Sequence, residues 1–235
     1  MKINTLYHMD CLEGMRLIEA KSIDMILCDL PYGVTDCKWD SVIPLNLLWE
    51  QYNRIIKDNG AIVLFAIQPF TTKLIYSNKK HFRYCWYWKK SNVTGAPFAR
   101  VQPMRCIEDI CVFYKKKPVY NPQGLVKLEK PIMKKPDNKT EIYTYRGKGS
   151  IQKYTNYPKH LIEFEHDKER LHPTQKPVEL CKYLIKTYTN EGDLVLDNCA
   201  GSGTTLKACK KTKRNFIGFE ADKHYYNVAV ERLAA

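Results

Sequence analysis

Two predicted strands that each end in an acidic residue constrain the fold of this chain most. The apolar run Ile23–Cys28 is followed by Asp29, and the short run Asp193–Leu196 is followed by Asp197. Continuous apolar runs are typical of strands that a parallel sheet buries on both faces. Open α/β sheets bind their ligands at the carboxyl ends of such strands. We therefore expect both acids at one ligand-binding edge of a sheet.

Strand and helix patterns alternate along most of the chain. The predicted order is strand 3–9, helix from Cys11, strand Ile23–Cys28, helix 45–57 ended by Asn59-Gly60, strand 61–66, helix 71–77 and strand 82–88. A strand at 106–114 follows a loop at 89–104. After His172, a helix, strand Asp193–Leu196, a helix from Thr204, strand 215–219 and a helix capped by Asp222 complete the pattern. This alternation predicts a doubly wound α/β domain with a mostly parallel sheet.

The middle of the chain breaks the pattern. Residues 115–159 show no clear period, and their Lys and Arg residues far outnumber Glu129, Asp137 and Glu141. Tyrosines recur among the basic residues, whereas disordered tracts are usually poor in aromatics. We interpret 115–165 as a small basic recognition insert between two halves of one domain, 1–114 and 166–235. A solvated linker is the alternative.

Composition limits the partners. The formal net charge of +13 indicates a polyanionic partner, and the basic residues interleaved with aromatics favour nucleic acid. The nine cysteines form no Cys-x-x-Cys pair, which suits reduced thiols in a cytosol better than disulfides or zinc. Neither His166 nor His172 has the spacing of a metal site, so no metal is expected. We find no signal-peptide core and no apolar run long enough for a membrane span, so we expect a soluble, cytoplasmic protein.

The segment from Asp197 to Thr205, Asp-Asn-Cys-Ala-Gly-Ser-Gly-Thr-Thr, has the pattern of a nucleoside-binding loop. Its glycines let the backbone approach a ligand at a helix N-terminus, and Glu220 ends the next strand, where an acid can bind ribose hydroxyls. A lone Gly-x-Gly is often only a tight turn. Acids at the ends of two successive strands favour the nucleoside site.

Taken together, these motifs resemble those of the β-group DNA amino-methyltransferases, the permuted class in which the catalytic motif precedes the cofactor motif. Asp-Leu-Pro-Tyr at 29–32 resembles their catalytic tetrapeptide, His-Pro-Thr-Gln-Lys-Pro at 172–177 a motif before the cofactor loop, and Gly-Ser-Gly-Thr-Thr at 201–205 the loop itself. Two departures are Leu30, where the family usually has Pro, and Asn198-Cys199, where it usually has Pro-Phe. The resemblance implies a seven-stranded, Rossmann-like methyltransferase sheet and S-adenosylmethionine as cofactor.

The resemblance also implies roles for single residues. Glu220 would hold the ribose hydroxyls, Ala200 to Gly203 would pass beside the methionine part, and Asp10 would reach the adenine amino group unless it only caps a helix. Thr174 and Lys176 would lie near the methionine carboxylate, unless Thr174 caps the helix after Pro177 and Lys176 is solvated. The cofactor residues predicted in this way are Asp10, Cys11, Asp29, His172, Thr174, Lys176, Asp197, Ala200, Gly201, Ser202, Gly203, Thr204, Glu220 and Ala221.

The catalytic residues predicted from the tetrapeptide are Asp29, Leu30, Pro31 and Tyr32. The lone pair of an exocyclic amino group is delocalised into its base. The Asp29 carboxylate and the Leu30 carbonyl would accept its two hydrogens and turn the lone pair toward the methyl donor. Tyr32 would stack on the base, which must leave the duplex. Duplex DNA is the expected partner, bound by Lys89, Lys90, Arg100, Arg105, Lys127, Lys134 and Lys135. A homodimer is left open.

Two other functions compete with adenine-N6 methylation. Asp at position 29 favours adenine, but a cytosine-N4 enzyme stays open because the preference is statistical. A C5-cytosine enzyme needs a Pro-Cys nucleophile, and no cysteine here follows a proline. A non-catalytic DNA-binding protein on a methyltransferase scaffold is the other alternative, and Asn198-Cys199 is the feature that keeps it open.

Overall fold

The computed structural model describes residues 1–33, 41–135, 149–169 and 171–234. The chain divides into two compact units, the larger formed by Met1–Asn121 with His160–Ala235 and the smaller by Pro122–Lys159. The smaller unit lies inside the predicted insert 115–165, with narrower limits.

The first part of the larger unit alternates strands and helices. In chain order it contains β1 (Thr5–His8), α1 (Cys11–Arg16), β2 (Ile23–Asp29), α2 (Leu45–Ile55), β3 (Ile56–Ala66), α3 (Phe70–Ser77), β4 (Phe82–Thr94), a 3₁₀ turn (Ala96–Phe98) and β5 (Arg105–Phe113). The smaller unit contributes β6 (Val126–Lys134) and β7 (Ser150–Thr155). The larger unit continues with β8 (Leu161–Phe164), α4 (Val178–Tyr188), β9 (Leu194–Asp197), α5 (Thr204–Lys211), β10 (Asn215–Glu220) and α6 (Lys223–Ala234).

One large sheet organises the larger unit. Its strand order over the described residues is β1-β10-β9-β2-β3-β5-β4-β8. The strands from β1 to β3 pair in parallel, β5 is antiparallel to both of its neighbours, and β8 is parallel to β4. The doubly wound, mostly parallel α/β fold is therefore confirmed.

The sheet differs from the seven strands expected because β8 adds an eighth at its edge. This strand pairs Leu161 with Tyr87 and Phe164 with Lys90, so 160–165 belongs to the large sheet and not to the insert. Ile162 is buried between more exposed neighbours. A four-residue edge strand with one buried side chain has almost no sequence signal.

The helices cover both faces of the sheet. On one face, the side chains of Ile26 and Cys28 pack in a core with residues of α1, α2 and α3. On the other face, Met25 and Leu27 share a core with residues of α4, α5 and α6. Since successive strand residues point to opposite faces, one apolar run serves both cores.

The Asn59-Gly60 pair does not end a helix, contrary to the sequence prediction. Helix α2 ends at Ile55, and β3 runs from Ile56 through the pair with a shift in its register against β2. A Cβ atom at Gly60 would lie 2.8 Å from the Asp24 carbonyl oxygen. Glycine is needed here because the two strands approach closely, and a turn signal was the wrong interpretation.

Strands β6 and β7 form an antiparallel pair in the smaller unit, which pairs Val126 with Thr155 at one end and Lys134 with Ser150 at the other, with a shift in register between Lys127 and Ile132. The Asn156 side chain closes one end by donating to the Gly124 carbonyl at 2.7 Å. Most side chains of the pair are exposed. Tyr143 and Tyr145 of the predicted insert lie outside the described residues.

Candidate active site

A cavity of about 830 Å³ opens at the carboxyl edge of the large sheet. Three neighbouring strands end there in acids, because β2 ends at Asp29, β9 at Asp197 and β10 at Glu220. The size falls within the roughly 300–1,000 Å³ of small-molecule sites. The structure thus brings the two halves of the predicted site to one cavity.

Most residues predicted from sequence line this cavity. The lining includes Asp10, Cys11, Asp29, Leu30, Pro31, Tyr32, His172, Thr174, Lys176, Asp197, Ala200, Gly201, Ser202, Thr204, Glu220 and Ala221, together with Lys90 and Arg105. Gly203 is not part of this lining, and it is the N-cap residue of α5.

The Asp29 carboxylate lies at the centre of a group of charged side chains. Its Oδ2 atom accepts a hydrogen bond from Lys176 Nζ at 2.7 Å, and its Oδ1 accepts one from the Tyr32 hydroxyl. Lys176 Nζ also lies 2.7 Å from Glu108 Oε1. One ammonium is therefore held between two carboxylates.

Burial and charge oppose each other in this group. Burial raises the pKa of Asp29, and the Lys176 ammonium acts against that rise. Burial also works against the charge of Lys176, but Asp29 and Glu108 outweigh it and raise the pKa of that amine. Lys176 is therefore a charged ammonium at neutral pH.

Tyr32 acts as a donor to Asp29. Burial and the two nearby carboxylates raise the pKa of its phenol well above the ordinary value, so it keeps its proton. Its ring packs against Phe70, with 5.3 Å between the centroids, and Lys176 Nζ lies 5.9 Å from the Tyr32 centroid. Stacking of Tyr32 on a base stays a prediction.

The position of Lys176 rules out the solvated alternative, because its side chain is 8% exposed and pairs with Asp29. It lines the same cavity as the glycine loop, and its placement near a methionine carboxylate stays a prediction. Thr174 does not cap α4, because Asp167 Oδ1 accepts from the Val178 amide instead. Pro177 is the N-cap residue and has no side-chain acceptor, so the carboxylate that accepts from the first turn comes from further back in the chain.

Sequence analysis missed Glu108, which lies on β5. It is 6% exposed and contacts Lys176, and its Oε2 lies 3.9 Å from Lys90 Nζ. The available signal was the pair of adjacent acids, Glu108 and Asp109, in the strand 106–114, since buried acids are rarely unpaired.

The loop between β9 and α5 takes its shape from two glycines and one acid. Gly201 and Gly203 have φ values of 50° and 76°, in the left-handed region that favours glycine. Glu220 Oε2 accepts from the Gly201 amide at 2.7 Å, and its Oε1 accepts from the Asp222 amide at 2.8 Å. Burial raises the pKa of Glu220.

Arg232 of α6 fixes the far side of this loop. Its guanidinium donates to the Ser202 carbonyl and to Thr204 Oγ1, and it pairs with Asp167 at 3.2 Å. The hydroxyls of Ser202 and Thr204 are therefore engaged in holding the loop.

Asp197 is buried behind the same loop. Its Oδ1 accepts from the Cys199 amide at 3.2 Å, and the side chain is almost inaccessible. Burial raises its pKa to about 7, with Thr205 acting against the rise. The carboxyl group supports the turn from within.

Asn198-Cys199, the departure from the family pattern, is integrated into the core. Asn198 Oδ1 accepts from the buried Tyr52 hydroxyl at 2.5 Å, and its amide group donates to Cys199 Sγ at 3.3 Å. Cys199 in turn packs against the core formed with α1 and α2. The loop thus has a polar support where the family usually has an aromatic one.

Asp10 is a helix cap that also faces the cavity. Its Oδ1 accepts from the amides of Leu12 at 2.8 Å and Glu13 at 3.1 Å. Across the cavity, His172 Nδ1 accepts from the Thr174 amide at 3.2 Å, and its ring lies 4.1 Å from that of Tyr225. Burial lowers the pKa of His172 to about 4, so this imidazole is neutral.

The predicted DNA-binding residues occupy different environments. Arg100 and Arg105 are exposed, and Lys89 is exposed but paired with Glu163 at 3.0 Å. Lys90 is wrong as a surface phosphate contact, because its side chain is only 9% exposed and points to Glu108. Successive residues of a strand point to opposite faces of the sheet, so Lys90 turns inward where Lys89 turns outward. The number of basic residues in a segment does not reveal this difference. Lys127, Lys134 and Lys135 are exposed within the smaller unit.

Two findings concern absences over the described residues. No group of three His, Cys, Asp or Glu side chains in 1–33, 41–135, 149–169 and 171–234 is arranged to hold a metal ion. Within the same ranges, none of the helices is both long enough and apolar enough to cross a bilayer.

Comparison with known proteins agrees with this geometry. The family model N6_N4_Mtase, described as DNA methylase, matches residues 23–231. The type II methyltransferase M.HindIII of Haemophilus influenzae is 25% identical over 305 residues, covering 98% of this chain and 95% of that protein. The DNA adenine methyltransferase YhdJ of Escherichia coli is 27% identical, with 97% and 82% covered.

Solved structures give the same result. The structure titled as a complex of M1.HpyAVI with SAM has a TM-score of 0.65 at 26% identity and covers 97% of this chain and 98% of its own. The cytosine-N4-specific PvuII DNA methyltransferase has a TM-score of 0.72 at 15% identity, with 97% and 85% covered, and at that identity the likeness concerns the fold alone.

Proposed function

Because the chain belongs to the N6/N4 DNA methylase family, we propose that it methylates the N6 amino group of adenine in duplex DNA. The observation that carries the proposal is the position of Asp29-Leu30-Pro31-Tyr32 at the end of β2, in one cavity with the loop residues Ala200, Gly201 and Ser202. The target base would leave the duplex to reach that cavity.

S-adenosylmethionine is the cofactor, and it supplies an electrophilic methyl group. The residues at the cavity fit such a molecule, since the glycine loop lies at the N-terminus of α5 beside the Glu220 carboxylate. Glu220 would accept hydrogen bonds from the ribose hydroxyls of the cofactor. Asp10 would accept one from the amino group of the cofactor's adenine with Oδ2, because the helix cap engages only Oδ1.

The chain's own contribution to catalysis is to orient the target amino group. Asp29 and the Leu30 carbonyl would accept its two hydrogens, which turns the nitrogen lone pair away from the ring. A carbonyl serves this role whichever side chain follows Asp29, so Leu in place of Pro is compatible with the chemistry. The Leu30 side chain is buried, which fixes the backbone at that point.

Adenine is favoured over cytosine by Asp at position 29 and by relatives named as adenine methyltransferases. The non-catalytic alternative loses support, since Asn198 and Cys199 hold the loop with buried hydrogen bonds.

Sequencing of methylated bases in DNA from cells that express the chain tests the proposal. The cells should lack other amino-methylases, and the Asp29→Ala variant is the matched control. We expect N6-methyladenine at one short recurring sequence, absent in the control. N4-methylcytosine instead would contradict the adenine assignment, and no methylated amino base would contradict the function.

A further inference from the structure

Glu108 is a buried carboxylate outside the catalytic tetrapeptide that contacts the partner of the catalytic acid. It lies on β5, almost eighty residues from Asp29 in sequence, and the Lys176 ammonium is 2.7 Å from each of the two carboxylates. The Lys176 and Glu108 side chains are only 8% and 7% exposed. Charged side chains this deeply buried in a cleft are candidates for a role in the site rather than for a role in solubility.

Both oxygens of Asp29 already accept hydrogen bonds, one from Tyr32 and one from Lys176. A target amino group that enters must share or replace one of these donors. If Asp29 were the only carboxylate partner of Lys176, displacing Lys176 from it would leave a buried, unpaired ammonium, which is strongly unfavourable. A second carboxylate within reach removes that penalty.

We propose that Glu108 is a positioning residue that retains the Lys176 ammonium when the target base takes its place on Asp29. The inference rests on the proposed amino-methyl transfer and adds a device that frees the acceptor. Lys176 then occupies the Asp29 carboxylate only until a base arrives.

The charges of the group suit this role. Asp29 with Lys176 alone would be neutral, whereas Glu108 gives the three side chains a net negative charge. Lys90 Nζ also faces Glu108 but lies 3.9 Å from its Oε2, farther than the 2.7 Å between Lys176 Nζ and Oε1. A negative environment stabilises the positive charge that develops on the amino nitrogen during transfer.

The test is Glu108→Gln, which keeps the shape of the side chain and removes its charge. Lys176 then has one carboxylate partner and stays on Asp29. We expect the single-turnover methylation rate at saturating DNA to fall by on the order of tenfold to a hundredfold, as for a lost charged hydrogen bond. The dissociation constant for S-adenosylmethionine should not change.

A second readout does not depend on methyl transfer. With 2-aminopurine beside the target base in the duplex identified by methylation sequencing, the rise in fluorescence as the target leaves the stack should be smaller in Glu108→Gln. Glu108→Asp should recover most of the rate because it keeps the charge. Asp109→Asn is the matched control, since Asp109 is next on the same strand but accepts from Thr71 at 2.6 Å.

Combining Glu108→Gln with Lys176→Met distinguishes action through Lys176 from an independent role. In the Lys176→Met background, adding Glu108→Gln should change the methylation rate by no more than about twofold, which is roughly the smallest change that such a double-mutant comparison resolves. A full multiplicative loss, or a wild-type rate and fluorescence in Glu108→Gln, overturns the proposal. A wild-type protein that transfers no methyl group to DNA refutes the proposed function instead.

Discussion

Asp29 is held by one side chain close to it in the sequence and by others far from it. Tyr32 lies three residues after it. Lys176 comes from the segment before α4, and Glu108 contacts Lys176 from β5. None of these three contacts involves the loop between β9 and α5. Chemistry and cofactor binding should therefore respond to different substitutions.

We expect Asp29→Ala to reduce methyl transfer by at least about a hundredfold, because it removes an acceptor for the target amino group. The fold should persist, since Glu108 still pairs with Lys176. Methylation rates, thermal melting and a cofactor titration check this. A variant that melts early or binds S-adenosylmethionine weakly would mean that Asp29 is structural.

Glu220→Ala should have the complementary effect. The carboxylate lies beside the Gly201 amide, where it would also accept from ribose hydroxyls, so we expect the cofactor to bind more weakly by about 1.5–3 kcal/mol. Calorimetric titration measures this, with the exposed Glu231→Gln on α6 as the control. Equal dissociation constants for Glu220→Ala and wild type would remove Glu220 from the site.

Asp197 makes stability depend on pH. Its pKa is about 7 in the folded state against an ordinary value of 3.8, so the folded state binds more protons than the unfolded state between these values. Stability from this group is therefore present at low pH and is lost as pH rises toward 7.

Asp197→Asn should remove that loss. The free energy of unfolding of the variant minus that of wild type should increase with pH by up to about 1.4 kcal/mol per unit and level off near pH 7. His172, with its pKa lowered to about 4, gives an opposite slope in both proteins, so the difference isolates Asp197. Denaturant titrations across this range supply the measurement, and a difference independent of pH would contradict the assignment.

At this scale the sequence predicted the motif residues better than their partners. Asp29 and Glu220 were found because each ends an apolar strand and stands next to a recognisable pattern. Glu108 and its pairing with Lys176 were not predicted, because that contact depends on how β5 and the segment before α4 meet. Long-range packing of this kind leaves no local pattern.

Among the elements, strands β6 and β7 carry the recognition hypothesis. Residues Lys127, Lys134 and Lys135 are exposed on this pair, so neutralising them to Gln should flatten the dependence of DNA binding on salt concentration. The expected change is about one unit of slope for each lost phosphate contact, with cofactor affinity unchanged.

The control for that experiment is the triple Gln variant of Lys73, Lys79 and Lys80, which removes the same charge from exposed positions around the end of α3. Binding isotherms at several salt concentrations compare the two. Equal salt dependences of DNA binding in the two variants would contradict a DNA contact by β6 and β7. That result would favour the surface around Arg100 and Arg105 instead.

Elements with a strong period were predictable, and irregular ones were not. Helix α4 and strand β2 follow from buried residues at the spacing of each structure. The register shift at Gly60 and the edge strand β8 depend on neighbouring strands, so a turn and an insert were predicted there.

For the whole molecule, the order of the motifs matters more than any one of them. The tetrapeptide Asp29–Tyr32 begins at the end of β2 and the glycine loop follows β9, and β2 and β9 are neighbours in the sheet. Parallel strands end at the same edge, so segments about 170 residues apart in sequence share one cavity. Motif order was readable from the sequence, whereas the adjacency of the strands came from the fold.

The central claim is that this cavity transfers a methyl group to an exocyclic amino group of DNA. The most direct measurement incubates purified protein with unmethylated duplex DNA and isotope-labelled S-adenosylmethionine, then identifies labelled nucleosides by mass spectrometry. The account predicts labelled N6-methyladenine from the wild type and none from Asp29→Ala. Label on carbon 5 of cytosine, or no labelled nucleoside from folded protein that binds the cofactor, would contradict it.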